Sequence, residues 1–201
     1  MKKFAKLFGL LLVAGAMFVG CQQNVDIDTN EIKLSNGKWE SNTTVTSSAD
    51  VYLMGTHYKS SGTIKSKDVF KVTDDVIEFL SGSESGSGKI EFDEGTSALA
   101  LASAKLMIAA SLPEGVELTL DGTTYSYTYS HTDTEDELKV QNAAKPKVST
   151  MSSTLPKVAR IQTNKKKTEY KVSYVEEQTD STDPDHPSTM KTTYLMTIKK
   201  L

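Results

Sequence analysis

Residues 116–130 read VELTLDGTTYSYTYS, and this stretch decides the fold class. Tyr125, Tyr127 and Tyr129 alternate with serine and threonine, and a period of two is typical of a β-strand with one aromatic face and one hydroxyl face. The pair Asp121 and Gly122 separates this run from VELTL, and Asp-Gly tolerates the positive φ angles that a two-residue hairpin turn demands. The stretch therefore predicts an antiparallel β-hairpin.

The C-terminal part of the chain repeats the pattern. In EYKVSY, residues 169–174, every second residue is tyrosine or valine, and TTYLMTIKK, residues 192–200, is a plausible partner strand. Pro184 and Pro187 exclude regular structure from the intervening loop. About ten short strands are expected in all, the remaining ones around 38–46, 50–58, 62–72, 76–80, 88–93, 137–141 and 157–163.

One segment breaks the β pattern. Residues 96–111, TSALALASAKLMIAAS, are rich in alanine and leucine, begin with Thr96 and Ser97 as candidate N-caps, and precede Pro113. We expect a helix that is buried or covers a sheet, because it is apolar nearly all round. Two apolar strands remain an alternative, since periodicity does not settle an apolar run. The low-complexity run SGSESGSG, residues 81–88, predicts a flexible loop or hairpin tip.

The N-terminus has the form of a secretory signal. Three lysines, at positions 2, 3 and 6, precede an apolar run over 7–19. That run of about 13 residues is too short to span a hydrocarbon core, which needs about 20. We expect residues 1–20 to be a cleaved signal peptide, residues 21–35 to carry a polar tether, and residues 36–201 to form a single β-rich domain.

The only cysteine, Cys21, follows this signal directly in AMFVGCQQ. The stretch resembles the lipobox of bacterial lipoproteins. That resemblance implies cleavage after Gly20, a diacylglyceryl group on the Cys21 thiol, and an acylated new amino terminus, so that several lipid chains anchor the protein. Gln22 then points to the outer membrane by the family's sorting rule. The alternative is an ordinary secretory signal with a leftover cysteine.

A second resemblance concerns the tryptophan. NGKW, residues 36–39, weakly resembles the Gly-x-Trp motif that opens the first strand of lipocalins, whose indole closes the barrel floor beneath an arginine. Gly37 and Trp39 match the motif, and Arg160 is the candidate arginine. The resemblance implies a closed barrel with room for one apolar ligand. Alternatively, Trp39 packs in any β core.

The predicted fold is thus mainly β: an antiparallel lipocalin-like barrel or a β-sandwich of about eight to ten strands, with one helix near 96–111. Within it, the rings of Tyr125, Tyr127 and Tyr129 would line a cavity, fill a solid core or form an exposed patch.

Composition excludes several functions. The formal charge of −3 becomes about −6 once the signal's three lysines are removed, which argues against nucleic acid as a partner. The residues from Asp26 onward begin like a calcium-binding loop but do not match its pattern. Glu31 stands at the sixth position, where glycine is required, and Gly37 stands at the twelfth, where glutamate is required. The sequence contains no nucleophile elbow, phosphate loop or zincin motif. We therefore expect no enzyme activity, no cofactor and no metal.

These features predict a non-catalytic, lipid-anchored protein of the bacterial cell envelope that binds a small apolar ligand. The alternative is a surface-exposed β-sandwich for adhesion, protein interaction or structure, displaying loops 81–88 and 178–189. An enzyme without a recognisable motif is the residual possibility.

Overall fold

The structure is a computed structural model that describes residues 27–53, 56–180 and 187–201. The predicted signal peptide and Cys21 lie outside the described residues. Residues 27–35, predicted as part of the tether, belong to the folded domain: Ile27–Thr29 forms the first strand, and Ile32 and Leu34 are buried.

The strands are β1 (Ile27–Thr29), β2 (Gly37–Leu53), β3 (Thr56–Thr73), β4 (Val76–Phe92), β5 (Thr119–Asp121), β6 (Thr124–Thr132), β7 (Arg160–Thr163), β8 (Glu169–Asp180) and β9 (Ser188–Lys200). The helices are α1 (Ala98–Ser111), α2 (Glu135–Ala143) and α3 (Val148–Met151), and a 3₁₀ turn follows α3 at Ser152–Thr154.

All nine described strands form one sheet in the order β1-β7-β8-β9-β2-β3-β4-β6-β5, and every pairing in it is antiparallel. The mainly β class and the number of strands are confirmed. The lipocalin-like barrel form is wrong, because the sheet stays open: its two edge strands, β1 and β5, are three residues long and do not pair with each other.

Three strands are much longer than the sequence predicts. β2, β3 and β4 each span 17 or 18 residues: the strands predicted over 76–80 and 88–93 merge into β4, and those predicted over 38–46 and 62–72 are extended as β2 and β3. The strand predicted over 50–58 is instead divided between β2 and β3, which pair from Leu53 and Thr56 outward.

The run SGSESGSG is not a loop but the middle of β4. Its serines fall at odd positions and project to one face of the sheet, whereas Gly82, Gly86 and Gly88 fall on the other face. There, the side chain of Asp133 lies over Gly82, and the rings of Tyr129 and Tyr127 lie over Gly86 and Gly88. The glycines make room for these side chains from β6 and the residue that follows it.

The cross-strand register gives the sheet two distinct faces. The core face carries the odd residues of β2 and their partners, including Trp39, Phe70, Val172 and Ile198. The polar face carries the even residues of β2 and their partners, mostly lysine, serine, threonine and glutamate. The hydrophobic core is concentrated at the Trp39 end of the core face, where the segment before β2 and Val148 of α3 pack on it.

Trp39 is fully buried in this core. Its Nε1 donates to the Ser35 carbonyl at 2.9 Å, and the Nζ of Lys200 lies 5.6 Å from its ring centroid. Gly37, with φ 137°, makes room for the Lys200 side chain, whose Cε would lie 2.9 Å from a Cβ at this position. Arg160 lies elsewhere, paired with Asp28 on the surface. The prediction that Gly37, Trp39 and Arg160 close a barrel is therefore wrong, because the sheet is open.

The predicted tyrosine hairpin is confirmed as β5 and β6. Asp121 pairs with Thr124, so the two turn residues are Gly122 and Thr123, one position later than predicted. Gly122 has φ 58°, the conformation for which glycine is favoured.

The predicted helix over 96–111 is confirmed as α1. Ser97 is its N-cap and accepts from the Ala100 N–H at 3.2 Å. The helix covers Tyr125, whose hydroxyl donates to the Leu101 carbonyl at 3.0 Å. Most of its surface is nevertheless exposed, with Leu99 at 78%. None of the helices in the described ranges is long and apolar enough to cross a membrane.

The strand predicted over 137–141 is wrong, because these residues belong to α2. Thr134 accepts from the Glu137 N–H at 3.3 Å, and Glu137 Oε2 accepts from the Thr134 N–H at 2.9 Å. This reciprocal capping box starts a helix and overrides the strand tendency of the short apolar pattern after it.

Candidate functional site

One concave feature of the described polar face is a shallow groove of about 510 Å³. We call it the polar groove. Its floor is formed by five adjacent strands, β8, β9, β2, β3 and β4, and four inter-strand spacings make it about 19 Å wide. The side chains that line it are mostly hydroxyls and paired charges. They include Ser48, Asp50, Lys59, Ser61, Lys89, Glu91, Glu177, Thr179, Thr189 and Lys191.

The charged side chains of the polar groove balance one another. Three lysines and three carboxylates line it, and they form three ion pairs. Lys59 Nζ lies 3.5 Å from Asp50 Oδ2, Lys89 Nζ lies 2.8 Å from Glu91 Oε1, and Lys191 pairs with Glu177. The bonded ammonium of Lys89 lowers the pKa of Glu91. The groove therefore offers many donors and acceptors with no net charge.

An aromatic platform stands at one end of the polar groove. Tyr52 follows Asp50 by two residues on β2, so it projects from the same face, and it is paired with His57 across the hairpin. The Tyr52 and His57 rings are stacked, with centroids 4.4 Å apart and an interplanar angle of 23°. Tyr52 is 39% exposed.

Two carboxylates hold His57 in place. Its Nε2 lies 2.6 Å from Asp50 Oδ1 and its Nδ1 lies 2.7 Å from Asp93 Oδ1. These bonds, first that to Asp50 and then that to Asp93, raise the pKa of His57. The bond to His57 in turn lowers the pKa of Asp50. An imidazolium that donates from both nitrogens is fixed in orientation, and so is the Tyr52 ring that stacks on it.

The polar groove lies away from the point at which the described chain begins. Ile27 is level with Ser41 of β2 through the pairings of β1, β7, β8 and β9, and Asp50 lies nine residues further along β2. At the rise of a β-strand this is about 30 Å. β1 runs parallel to β2, so its first residue, Ile27, lies at the end of β1 that is further from the groove.

A second cluster lies on the core face, midway along the sheet. Ligand atoms of His131, Asp133 and Glu137 lie within 4.8 Å of one another, and imidazole with carboxylates can bind divalent metal ions. Glu137 Oε2 already accepts from the Thr134 N–H, and Asp133 Oδ2 accepts from Gln141 Nε2 at 2.9 Å. The cluster thus ties β6 to the start of α2, and the absence of a metal site stays a prediction.

Asp68 faces this cluster from β3. A Cβ at Gly82 would contact both Asp133 Oδ2 and Asp68 Oδ1, so the two carboxylates flank that glycine. Burial, followed by the charges of Asp133 and Glu84, raises the pKa of Asp68 to about 6. Crowded, poorly solvated carboxylates favour the protonated form of one of them.

The three tyrosines predicted as ligand-binding residues all lie on the core face of β6. Tyr125 is 2% exposed and Tyr127 is 8% exposed, so both are packed in the structure. Tyr129 is half-buried and donates to Glu84 Oε1 at 2.8 Å, and burial raises its pKa. They lie in a row and do not line the polar groove. Their role in ligand binding stays a prediction.

The strand predictions from the sequence do not reveal the polar groove or its aromatic platform. The signal that would reveal them is the hairpin itself: once β2 and β3 pair at Leu53 and Thr56, the pairs Tyr52 with His57 and Asp50 with Lys59 follow. A single strand predicted over 50–58 hides that register.

Comparison with protein-family models, curated proteins and solved structures found no match to this chain.

Proposed function

We propose that the chain is a non-catalytic, lipid-anchored protein of the bacterial cell envelope that presents the polar groove to a binding partner. The observation that carries the proposal is the groove itself, a pre-formed recess across five strands whose walls are ordered by ion pairs and hydrogen bonds. Ligand sites are concave and usually largely pre-formed, and fixed polar groups in them orient the ligand.

The position of the polar groove suits an anchored protein. The lipid anchor is the one expected at Cys21, six residues before the described chain begins at residue 27. Because Ile27 lies at the end of β1 that is further from the groove, an anchor on that side would leave the groove directed away from the membrane.

An apolar ligand in a barrel interior has less support. The sheet is open, and Tyr125 and Tyr127 pack against neighbouring residues of the core face. The groove is polar instead, which favours a partner recognised through hydrogen bonds.

The anchor is tested by metabolic labelling with an alkyne analogue of palmitate. The full-length chain and its Cys21→Ser variant are expressed in a Gram-negative host, and labelled protein is followed in membrane and soluble fractions. We expect label and membrane association for the parent chain only. Equal labelling of both proteins, or none, would reject the anchor.

Use of the polar groove is tested by photo-crosslinking in the same cells. A photoreactive amino acid is placed at Ser61, which lines the groove, or at Ser83, an exposed residue on the same face outside it. We expect a discrete crosslinked adduct from position 61 that is missing from position 83. Identical adduct patterns at both positions would count against the groove as the binding site.

A further inference from the structure

We infer that the polar groove binds an uncharged carbohydrate chain, with the Tyr52 ring as the platform on which one sugar ring stacks. This inference rests on the proposed function and names the class of ligand for the same site. Three observations carry it: the charge balance of the groove, its hydroxyl lining, and the aromatic platform at its end.

The charge balance argues against a charged ligand. Every ammonium group that lines the groove has a carboxylate partner. An anionic or a cationic ligand would therefore have to break one of these ion pairs before it could form an ion pair of its own with the groove. A neutral ligand can instead accept hydrogen bonds from the lysines and donate to the carboxylates while the pairs stay in place.

The hydroxyl lining matches a polyol. Ser48, Ser61, Thr179 and Thr189 line the groove between the charged pairs, and each hydroxyl can donate or accept. A sugar ring carries several hydroxyls with the same dual capacity, so hydrogen bonds can form in both directions without leaving an unpaired donor.

Tyr52 supplies an aromatic surface for such a ligand at the end of the groove. A sugar ring has an apolar C–H face that packs on an aromatic ring, and Tyr52 is exposed on the polar face beside Asp50. His57, whose side chain is only 15% exposed and is held between Asp50 and Asp93, supports the Tyr52 ring from the other side. The platform is thus ordered before the ligand arrives, which lowers the entropic cost of binding.

A polar peptide fits the site less well. An extended peptide binds a sheet by pairing its backbone with an edge strand. The polar groove instead lies on the face of the sheet, and the strands under its centre, β9, β2 and β3, are already paired on both sides.

The test uses the full-length chain, purified in detergent from the host that produces it. Binding of neutral hexasaccharides of glucose, N-acetylglucosamine and xylose is measured by isothermal titration, with a sulfated hexasaccharide and a serine- and threonine-rich peptide as competitors. We expect at least one neutral hexasaccharide to bind and both competitors to fail. Binding of no neutral hexasaccharide, or preferential binding of either competitor, would overturn the inference.

Variants then locate the site. Tyr52→Ala should weaken binding by about tenfold, which corresponds to about 1.4 kcal/mol, because it removes the stacked ring. Tyr52→Phe keeps the ring and should stay within about threefold of the parent affinity. Leu195→Ala removes another exposed apolar side chain from the same face, outside the groove, and should change nothing. Equal affinities of the parent chain and Tyr52→Ala would reject the platform.

A measurement on the parent chain guards against misfolded variants. Amide chemical shifts recorded during the titration should move along Ser48–Asp50, Lys59–Ser61 and Lys89–Glu91 and stay fixed along β6. Movement confined to β6 or α1 would overturn the inference. Lipid labelling without any carbohydrate binding rejects the ligand class but keeps the anchor, and the converse result rejects the anchor alone.

Discussion

Replacing Gly88 by alanine tests why a serine- and glycine-rich run forms the centre of a long strand. A Cβ on Gly88 would lie 2.5 Å from Tyr127 Oη, 2.6 Å from Cζ and 2.7 Å from Cε1. Carbon atoms in contact prefer separations of about 3.5–4.0 Å, so the ring must move by about 1 Å. Tyr127 is only 8% exposed, and its neighbours leave the ring little room.

The expected magnitude is the balance of two effects. Overpacking of a core position costs about 1–3 kcal/mol. Alanine in place of a strand glycine returns about 0.5–1 kcal/mol through its smaller conformational entropy in the unfolded chain. We therefore expect Gly88→Ala to lower the free energy of unfolding by about 0.5–2 kcal/mol.

The free energy of unfolding is measured by urea denaturation for the parent chain, Gly88→Ala and Ser87→Ala. Ser87 neighbours Gly88 but is exposed on the polar face, so its variant should stay within about 0.5 kcal/mol of the parent. In a Tyr127→Leu background the ring is gone, and Gly88→Ala should be neutral or stabilising. A destabilisation that persists in that background, or a single variant as stable as Ser87→Ala, would refute the reasoning.

Three further predictions concern the core and the titratable groups. Trp39→Ala should lower the free energy of unfolding by about 3–5 kcal/mol, because the indole is fully buried and donates to Ser35; a loss below about 1 kcal/mol in urea denaturation would contradict this. The pKa of His57 is raised, so its contribution to stability is complete below about pH 6.5 and is lost as the pH rises through the folded-state value. The melting temperature of His57→Gln should therefore fall further below that of the parent at pH 6 than at pH 9, and equal differences would exclude a charged His57. The pKa of Asp68 is raised from 3.8 to about 6, so its ionisation destabilises the fold as the pH rises through this range. Asp68→Asn should gain up to about 3 kcal/mol at pH 8 and much less at pH 4, and a loss of stability at pH 8 would show that the carboxylate is needed there.

The elements that the sequence predicts well are those specified by neighbouring residues. The hairpin over 116–130 combines strict alternation with a glycine at its turn, and α1 has an N-cap serine and a following proline. Each of these signals acts within a few residues. The same locality would identify α2, whose capping box at Thr134 and Glu137 is a short-range signal that the prediction of a strand over 137–141 overlooks.

The elements that the sequence predicts poorly depend on distant partners. Serine and glycine have low strand propensity, so residues 81–88 become a strand because β3 and β6 pair with them on both sides. Whether the sheet closes into a barrel also depends on distant residues. The same alternation of apolar and polar residues along the strands is found in a barrel, a sandwich or a single open sheet. The platform at Tyr52 depends on the hairpin register and on Asp93, which follows β4 and is 36 residues from His57.

The molecule separates the residues that stabilise it from those that would bind a partner. The buried apolar cluster gathers at the Trp39 end of the core face, while the polar groove lies about 30 Å further along β2 on the opposite face. Substitutions in the groove therefore remove little buried apolar area, and those that preserve the strand ladders should leave the fold intact. This separation makes the groove variants informative, because a loss of binding in Tyr52→Ala can be assigned to the platform and not to unfolding.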